Sequence, residues 1–184
     1  GKEIAFTCNE TALGIADVTD KSNIKIISKY DEQDFGYVHQ GWLSNDHRYF
    51  FVNDELNEYY GPDIEQTTVI FDLEDLDNPK VHKTYRSGLF TIDHNNYVKE
   101  NLVFQSNYSS GLRVLSINDI NNPVEVAYFD TYTSGDKLDF VGSWSNYPFF
   151  ESGTIPVSSI EEGLFLLKAS EGGSLSTKRD QIPE

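Results

Sequence analysis

Two histidines and the carboxylates near them are the first residues in this sequence that could do chemistry. His39 lies in the run YVHQGWL, and His94 directly follows Asp93 in the run TIDHNNYV. Two imidazoles and one carboxylate can bind a transition metal, as a metal-dependent hydrolase or lyase would require. No short spacing such as H-x-x-x-H supports this site, so it depends on the fold to bring the residues together. The alternative is structural: the same groups would hydrogen-bond to neighbouring strands.

A second set of candidate residues is acidic and lies among turn-forming residues. Asp54, Glu55 and Glu58 lie close together in NDELNEYYGPD, as the ligands of a hard cation such as Ca²⁺ would. The run DLEDLDNP, 72–79, is also acidic, but it lacks the central glycine and the distal glutamate of an EF-hand loop. Because Asp and Asn side chains also hydrogen-bond to the backbone of turns, this run is interpreted as a turn. Calcium remains a candidate cofactor for the group at 54–58, with turn formation as the alternative.

Aromatic side chains form the third set, and they could bind a ligand by stacking. The sequence contains 12 Phe, 11 Tyr and 2 Trp. Rings exposed on the loop face of a domain can stack on sugars or peptides, and the candidates for that role are Trp42, Tyr60, Tyr108 and Tyr147. The alternative is that these large rings pack between structural units.

Composition and motifs disfavour several classes of function. The 184 residues include 30 acidic and 14 basic side chains, and the resulting net charge of −16 makes nucleic acids and anionic membrane surfaces poor partners. No run of eighteen apolar residues is present, so no membrane span is predicted. The sequence has no G-x-S-x-G elbow, P-loop or H-E-x-x-H motif, and no catalytic residue is assigned from it.

Short strands must position these residues, because the apolar runs are brief and bounded by turns. Strand-forming runs rich in β-branched and aromatic residues include EIAFT, RYFFV, TTVIFDL, NLVFQS, GLRVLSI, VEVAYF and GLFLLK. Clusters of Asp, Asn, Gly, Ser and Pro separate them. No segment of twelve or more residues keeps an apolar stripe with helical spacing. The fold class is therefore predicted to be all-β.

Internal repeats predict how the strands are arranged. The run IADVTDKSN, 15–23, aligns with IFDLEDLDN, 70–78, and VIFDLEDLDNP aligns with RVLSINDINNP, 113–123. A period of roughly 45 to 55 residues with about four strands is typical of a β-propeller blade, whose first strand lines the central channel. The predicted blades are approximately 1–33, 34–87, 88–135 and 136–170. Aligning them also equates His39 with His94, and the predicted channel-lining residues are His39, Asp93, His94, Trp144 and Asn146.

The repeats at the two ends of the sequence are incomplete. The first has no inner strand like the one that contains His39. The last is followed by a polar run, 171–184, that is predicted to be a tail or linker without a convincing fourth strand. About three and a half blades of four antiparallel strands result, whereas propellers usually close with four to eight. We expect that more of the propeller lies upstream of Gly1 and that this segment packs against it.

The repeats resemble those of a known type of surface protein. GLRVLSINDINNP and IDHNNYVKENLVFQSNYSSG resemble LVIVD repeats. HQGWLSNDHRYFFVNDELNE and GSWSNYPFFESGTIPVSSIEEGLFLL resemble the bacterial choice-of-anchor B proteins, and the similarity runs from about Ile4 to Lys168. Such proteins are exported and held at the cell surface by varied C-terminal anchors. The resemblance therefore implies a secreted or cell-surface β-propeller, without implying a catalytic mechanism or a ligand.

Two functions remain open on the sequence alone. The favoured one is a non-catalytic module that binds a protein or glycan at the cell surface or acts as a scaffold. The other is a metal-dependent hydrolase or lyase that uses the axial cluster of His39, His94 and Asp93. Bound transition metal at stoichiometric amount is expected only for the second.

Overall fold

Short antiparallel strands make up most of the computed structural model, which describes residues 1–31, 35–61, 63–169 and 175–177. The strands are β1 (Ile4–Cys8), β2 (Leu13–Asp17), β3 (Lys25–Tyr30), β4 (Val38–Leu43), β5 (Tyr49–Asp54), β6 (Thr67–Asp72), β7 (Lys80–Arg86), β8 (Asn95–Lys99), β9 (Leu102–Ser106), β10 (Leu112–Ser116), β11 (Val124–Phe129), β12 (Ser143–Asn146), β13 (Ile155–Ser159), β14 (Gly163–Ala169) and β15 (Leu175–Thr177). One short helix, α1 (Asn57–Tyr60), lies between β5 and β6 in this part of the chain. The all-β prediction is confirmed. No helix among these residues is long and apolar enough to cross a membrane.

The strands pair into four antiparallel sheets that follow one another along the chain. Sheet 1 has the order β1-β2-β3, sheet 2 β4-β5-β6-β7, sheet 3 β8-β9-β10-β11 and sheet 4 β12-β13-β14-β15. The first strand of each four-stranded sheet is an edge strand, and β8 contacts both β4 and β12. These three first strands therefore lie side by side, as the inner strands of propeller blades do.

Apolar side chains fill the spaces between consecutive sheets. The cluster between sheets 1 and 2 contains Leu13, Ile15, Phe50, Val52, Val69 and Phe71. The cluster between sheets 2 and 3 contains Phe51, Ile70, Val98, Val103 and Leu115, and the one between sheets 3 and 4 contains Phe104, Leu112, Val114, Ile155, Val157 and Leu167. Phe50 and Phe51 belong to different clusters because successive side chains of a strand point to opposite faces of the sheet. The middle strands are thus apolar on both faces, and the sheets stack face to face.

Strand irregularities recur at equivalent positions of the sequence repeat. The pairing between the last two strands of a sheet shifts register after Ile15 in sheet 1, after Ile70 in sheet 2 and after Val114 in sheet 3. The repeats in the sequence align these three residues with one another. A bulge increases the local twist and bends the strand that carries it. The repeat therefore corresponds to equivalent backbone geometry in successive sheets.

The acidic run at 72–79 forms a turn between β6 and β7, as interpreted from the sequence. Asp72 Oδ1 accepts a hydrogen bond from the backbone N–H of Glu74 at 2.8 Å, and Asp75 Oδ1 accepts one from Asp77 at 3.1 Å. In the preceding repeat, Asp20 Oδ1 accepts the N–H of Ser22 at 2.9 Å. These carboxylates satisfy turn backbone groups, which is the role expected of Asp in this position.

The end of sheet 4 corrects one prediction. Strand β15 pairs with β14, so the polar run after residue 170 supplies a fourth strand where a tail or linker without one was predicted. An outer strand can be held by backbone hydrogen bonds to one neighbour, and it then needs no apolar pattern that a sequence would show. The other residues of 171–184 lie outside the described part of the chain.

Candidate functional site

Polar side chains on the inner strands connect each sheet to the next. On β4, Gln40 donates from Nε2 to the carbonyl oxygen of Asn96 on β8 at 2.9 Å, and its Oε1 accepts the Asn96 backbone N–H at 2.7 Å. Asn95 donates from Nδ2 to the carbonyl oxygen of Trp144 on β12 at 2.9 Å. Gln40 and Asn95 are equivalent residues, since each follows one of the two aligned histidines. These bonds hold the inner strands in register beside the predicted channel residues.

Two equivalent asparagines make a second connection, back to the preceding sheet. Asn96 Nδ2 donates to the carbonyl oxygen of Phe51 at 3.2 Å and to the side-chain oxygen of Asn53. Asn146 Nδ2 donates to the carbonyl oxygen of Phe104 at 3.3 Å and to a serine hydroxyl of β9 at 2.9 Å. Both asparagines are buried. Asn146, one of the predicted channel-lining residues, thus holds sheet 4 against sheet 3.

His39, Glu55 and His94 form a group that we call the His–Glu cluster. The imidazole rings of His39 and His94 are stacked, with centroids 4.4 Å apart and planes inclined by 17°. Glu55 follows β5, and its Oε2 lies 3.4 Å from His39 Nδ1 while its Oε1 lies 3.8 Å from His94 Nε2. One potential ligand atom from each residue lies within 4.8 Å of the other two. In the part of the chain that the structure describes, no other group of three His, Cys, Asp or Glu side chains comes this close.

The surroundings of His94 determine which ring nitrogen carries the proton. His94 Nδ1 lies 2.7 Å from the carbonyl oxygen of Trp144, which can only accept a hydrogen bond, so Nδ1 is the protonated nitrogen. The side-chain nitrogen of Asn95 also lies 2.8 Å from Nδ1, but it donates to the same carbonyl oxygen instead. Burial lowers the pKa of His94 to about 4, so the ring is neutral at pH 7. Its Nε2 therefore has a free lone pair that faces Glu55.

Among the predicted calcium ligands, only Glu55 belongs to the His–Glu cluster. Asp54 accepts hydrogen bonds from the backbone N–H groups of Gly36 at 3.0 Å and Tyr37 at 2.5 Å. Glu58 Oε1 accepts a backbone N–H at the start of β6 at 2.9 Å. The structure thus gives Asp54 and Glu58 backbone partners, and calcium binding by this group stays a prediction.

Two buried carboxyl groups, Asp93 and Glu58, lie in the region of the cluster, and their burial disfavours the charged form. Asp93 and Glu58 are 1% and 0% exposed, and Asp93 Oδ1 and Glu58 Oε2 have no hydrogen-bond partner. Burial, followed by the nearby charge of Glu58, raises the pKa of Asp93 well above its usual value, and burial raises the pKa of Glu58 to about 8. Among the described residues, no lysine or arginine forms a salt bridge with Asp54, Glu55, Glu58 or Asp93. Burial therefore favours the protonated, neutral form of Asp93 and Glu58 in the folded protein.

The structure brings three of the predicted channel-lining residues into contact, and it replaces the carboxylate of the predicted metal-binding group with another one. His94 meets the ring of Trp144 edge to face with centroids 4.6 Å apart and stacks on His39, so the three rings form one continuous group. Asp93 is buried nearby, but its Oδ2 accepts a hydrogen bond from Asn53 Nδ2 at 2.5 Å. The carboxylate that approaches both histidines is therefore Glu55, which arrives from the adjacent strand, and not Asp93.

A second group of rings, the aromatic surface, consists of Trp42, Tyr97, Tyr147, Phe149 and Phe150. Trp42 contacts Tyr97 at 4.7 Å and Phe149 at 5.9 Å between centroids, and Tyr147 contacts Phe149 at 5.3 Å and Phe150 at 5.2 Å. The exposed fractions of Trp42, Tyr147 and Phe150 are 37%, 45% and 50%. These rings come from β4, β8 and the segment after β12, so the aromatic surface spans three sheets.

A groove of about 420 Å³ lies against the aromatic surface, with Trp42 and Phe149 in its wall. Its other lining residues include Phe6, Ser44, Asn45, His47 and Phe50. Asn45 and His47 are exposed at the turn after β4. The groove thus combines aromatic walls with polar groups that can donate or accept hydrogen bonds.

The four predicted ligand-face rings have three different environments. Trp42 and Tyr147 belong to the aromatic surface, whereas Tyr60 is 71% exposed on α1 and contacts the ring of Tyr59 at 5.8 Å. Tyr108 is 1% exposed, so the prediction that it offers an exposed ring is wrong. Its backbone pairs with Ser143 in an isolated bridge, which carries the side chain into the core.

Comparison with solved structures identifies the architecture. The chain is similar to the periplasmic gluconolactonase PpgL of Pseudomonas aeruginosa, with a TM-score of 0.73 and 12% identity over 95% of this chain and 52% of that one. It is also similar to a protein from Lactobacillus plantarum, with a TM-score of 0.68 and 15% identity over 96% of this chain and 52% of that one. For the β-propeller domain of Myceliophteria thermophila Cps50 (Swd1), the TM-score is 0.57 and the identity 12%, over 92% of this chain and 52% of that one.

The fold is a β-propeller. The chain spans about half the length of these solved structures, and identities of 12 to 15% extend the similarity to the fold alone. No family model and no curated protein matches the sequence.

Sequence reasoning missed the role of Glu55 beside the histidines and the amide groups that connect the inner strands. The signal for the amides was present, because the residues after the aligned histidines are Gln40 and Asn95, which can make the same hydrogen bonds. Glu55 gave no such signal, because its contact with Tyr108, whose hydroxyl donates a hydrogen bond to Glu55 Oε1 at 2.6 Å, appears only in the folded structure.

Proposed function

We propose that this β-propeller is a non-catalytic binding module outside the cytoplasm and that it binds a neutral glycan on the aromatic surface. The observation that carries the proposal is the continuous group of partly exposed rings across three sheets, next to a groove with polar groups. A monomeric soluble domain rarely exposes connected apolar area of this kind without a binding role.

The packing of the rings suits them to receive a flat, partly apolar ligand. Trp42 meets Tyr97 at 65°, and Tyr97 meets Phe149 at 89°, so each ring supports the next edge to face. Rings held this way lose little rotamer freedom when a ligand binds. The C–H face of a sugar would pack on the exposed side of Trp42 or Tyr147, and its hydroxyls would bond with groove groups such as Asn45 and His47.

The charge of the protein selects among glycans. The sequence carries 30 acidic and 14 basic residues, so an anionic polysaccharide would be repelled over the whole approach. A neutral oligosaccharide meets no such barrier. Neutral sugars are therefore the class that this surface suits best.

The proposed location and family rest on the sequence motifs. The LVIVD-like runs and the longer similarity to choice-of-anchor B proteins support export and attachment at the cell surface. The gluconolactonase with a similar fold is described as periplasmic, which is compatible with a location outside the cytoplasm. A metal-dependent hydrolase or lyase is the second candidate, and the observation that favours it is the His–Glu cluster.

Glycan binding is tested with an oligosaccharide array followed by calorimetry on the protein and three variants. Trp42→Ala and Tyr147→Ala should each weaken binding of a neutral oligosaccharide by about tenfold or more, because each removes a central stacking ring. Tyr60→Ala is the matched control: it removes an exposed ring outside the aromatic surface and should leave the affinity unchanged. Binding that both test variants leave intact, or a ligand that proves to be a protein only, would overturn the proposal.

A further inference from the structure

We infer that His39, Glu55 and His94 bind one divalent transition metal ion of the zinc class. This inference is independent of glycan binding, because the His–Glu cluster and the aromatic surface have no residue in common. It starts from the arrangement of two acceptor atoms that face each other inside the protein.

The facing atoms are His94 Nε2 and Glu55 Oε1, which lie 3.8 Å apart. His94 Nδ1 donates a hydrogen bond to the Trp144 carbonyl oxygen, so the neutral ring offers a lone pair at Nε2. Glu55 Oε1 accepts a hydrogen bond from the Tyr108 hydroxyl at 2.6 Å and therefore acts as an acceptor at this position. A lone pair opposite a carboxylate oxygen is unfavourable until a cation lies between them. A metal ion bound to both atoms removes that conflict.

The partners of these side chains follow the pattern that supports a bound metal. Metal-ligating histidines commonly donate their other ring N–H to a carbonyl or carboxylate, which fixes the ring, and His94 does this with Trp144 at 2.7 Å. Ligating carboxylates are commonly held by a hydrogen bond, and Tyr108 supplies one to Glu55 at 2.6 Å. Hydrogen-bond partners of the kind that support metal ligands are therefore present for His94 and Glu55.

Two unpartnered buried oxygens nearby point independently to a missing cation. Glu58 Oε2 and Asp93 Oδ1 have no hydrogen-bond partner, although both side chains are at least 99% buried. Buried polar atoms are ordinarily satisfied, and a bound ion is one of the standard reasons for an exception.

The ligand types select zinc over calcium. Calcium takes six to eight oxygen ligands, whereas two imidazoles and one carboxylate match the set found in three-ligand zinc sites. Metal–ligand bonds of about 2.0 to 2.2 Å require ligand atoms to come closer than the 4.8 Å within which they lie here. His39 can make that movement, because its side chain is 31% exposed at the irregular start of β4, while His94 stays fixed. Binding of the metal would therefore move the His39 ring away from its stacked position on His94. The fourth coordination position of the metal would be open to solvent.

The test measures zinc and cobalt bound to the protein after dialysis, by elemental analysis and by the visible absorption of bound Co²⁺. We expect about one ion per chain and a tetrahedral Co²⁺ spectrum. His39→Ala and Glu55→Gln should lower the affinity at least a hundredfold, and Tyr108→Phe by about ten- to a hundredfold through the outer hydrogen bond. His82→Ala is the control, since it removes a histidine of β7 that belongs neither to the His–Glu cluster nor to the groove, and this variant should bind the metal normally.

Three outcomes would overturn the inference. They are less than about a tenth of an ion per chain, an unchanged affinity in His39→Ala, and binding of Ca²⁺ without Zn²⁺. Circular dichroism and melting curves accompany each variant. If Glu55→Gln fails to fold, the partly exposed His39→Ala decides alone, because its side chain is not part of the buried core.

Discussion

Replacing Glu58 with glutamine should reduce a loss of stability that the protein undergoes as the pH rises from about 6.5 to 8. Glu58 is 0% exposed, its Oε1 accepts the Thr67 N–H at 2.9 Å and its Oε2 has no partner. Burial raises its pKa from 4.5 to about 8 in the folded protein. Between these values the folded state keeps a proton that the unfolded chain releases. The stability from this group is therefore complete below pH 4.5 and is lost as the pH rises through 8.

The expected size follows from proton linkage. One such proton changes the free energy of unfolding by up to about 1.4 kcal/mol per pH unit, so the wild type loses up to about 2 kcal/mol between pH 6.5 and 8. For a chain of this size that loss lowers the melting temperature by about 4 to 8 °C. Glu58→Gln keeps an oxygen for the Thr67 N–H but cannot titrate. We expect less than half of the wild-type slope in this variant, with the remainder due to Asp93, whose pKa burial also raises.

The assay is thermal melting at several pH values in the presence of EDTA. Starting at about pH 6.5 avoids the opposite contribution of His94, whose lowered pKa makes stability rise with pH up to its usual value of 6.5. Glu162→Gln, which removes an exposed carboxylate, is the control and should keep the wild-type slope. Equal slopes for wild type and Glu58→Gln would show that this carboxyl is ionised in the folded protein and would refute the reasoning.

Three further predictions concern the sheet connections, the calcium candidate and one glycine. Asn96→Ala should lower the free energy of unfolding by about 1 to 3 kcal/mol, because it leaves the buried side-chain oxygen of Asn53 without its partner and removes a bond to the Phe51 carbonyl oxygen, whereas exposed Asn101→Ala should cost less than about 0.5 kcal/mol in denaturant melts. If the carboxylates at 54–58 hold calcium, EGTA should lower the melting temperature and Asp54→Asn should abolish that response; an unchanged melt would leave them as backbone acceptors. Gly111→Ala should destabilise far more than Gly88→Ala. Both have positive φ, but a Cβ at Gly111 would lie 2.2 Å from a carbonyl oxygen, whereas none is crowded at Gly88. Similar melting temperatures for the two would contradict this.

The repeat made the fold predictable from the sequence. Short apolar runs with alternating faces predict strands, and the alignment of Ile15, Ile70 and Val114 predicted equivalent positions that the structure realises as equivalent register shifts. The polar turns were predictable for the same reason, because Asp at a turn start is paired with a nearby backbone N–H. Strand β15 was not predictable, since an outer strand held by backbone hydrogen bonds needs no apolar pattern.

The site was predictable only in part, because a side chain's direction depends on register that composition does not encode. The alignment of His39 with His94 anticipated that both would approach one axis, and their rings are stacked 4.4 Å apart. Asp93 was chosen as the carboxylate because it adjoins His94 in the sequence, but adjacent residues of an extended chain point to opposite sides. Tyr108 was predicted to be a ligand-face ring because it is aromatic, yet its backbone bridges to Ser143 and its side chain is buried.

The repeat also explains how one position can serve structure in one blade and chemistry in another. The inner strand of sheet 3 carries three roles in order, namely a residue at the axis, one that bonds to the next strand and one that bonds back to the preceding sheet; Gln40 repeats the second role in sheet 2, and Asn146 repeats the third in sheet 4. In sheet 3 these are His94, Asn95 and Asn96. Since the hydrogen bonds of the second and third positions already hold the blades, the axis position is free to vary, and it is histidine twice and then Trp144.

The same relation links Glu55 to Tyr108, which lie 53 residues apart at equivalent positions and hydrogen-bond to each other. The His–Glu cluster and its tyrosine are thus two pairs of repeat-equivalent residues meeting at the axis. The candidate site forms where such positions carry ionisable groups whose remaining atoms face one another, as His94 Nε2 and Glu55 Oε1 do beside His39.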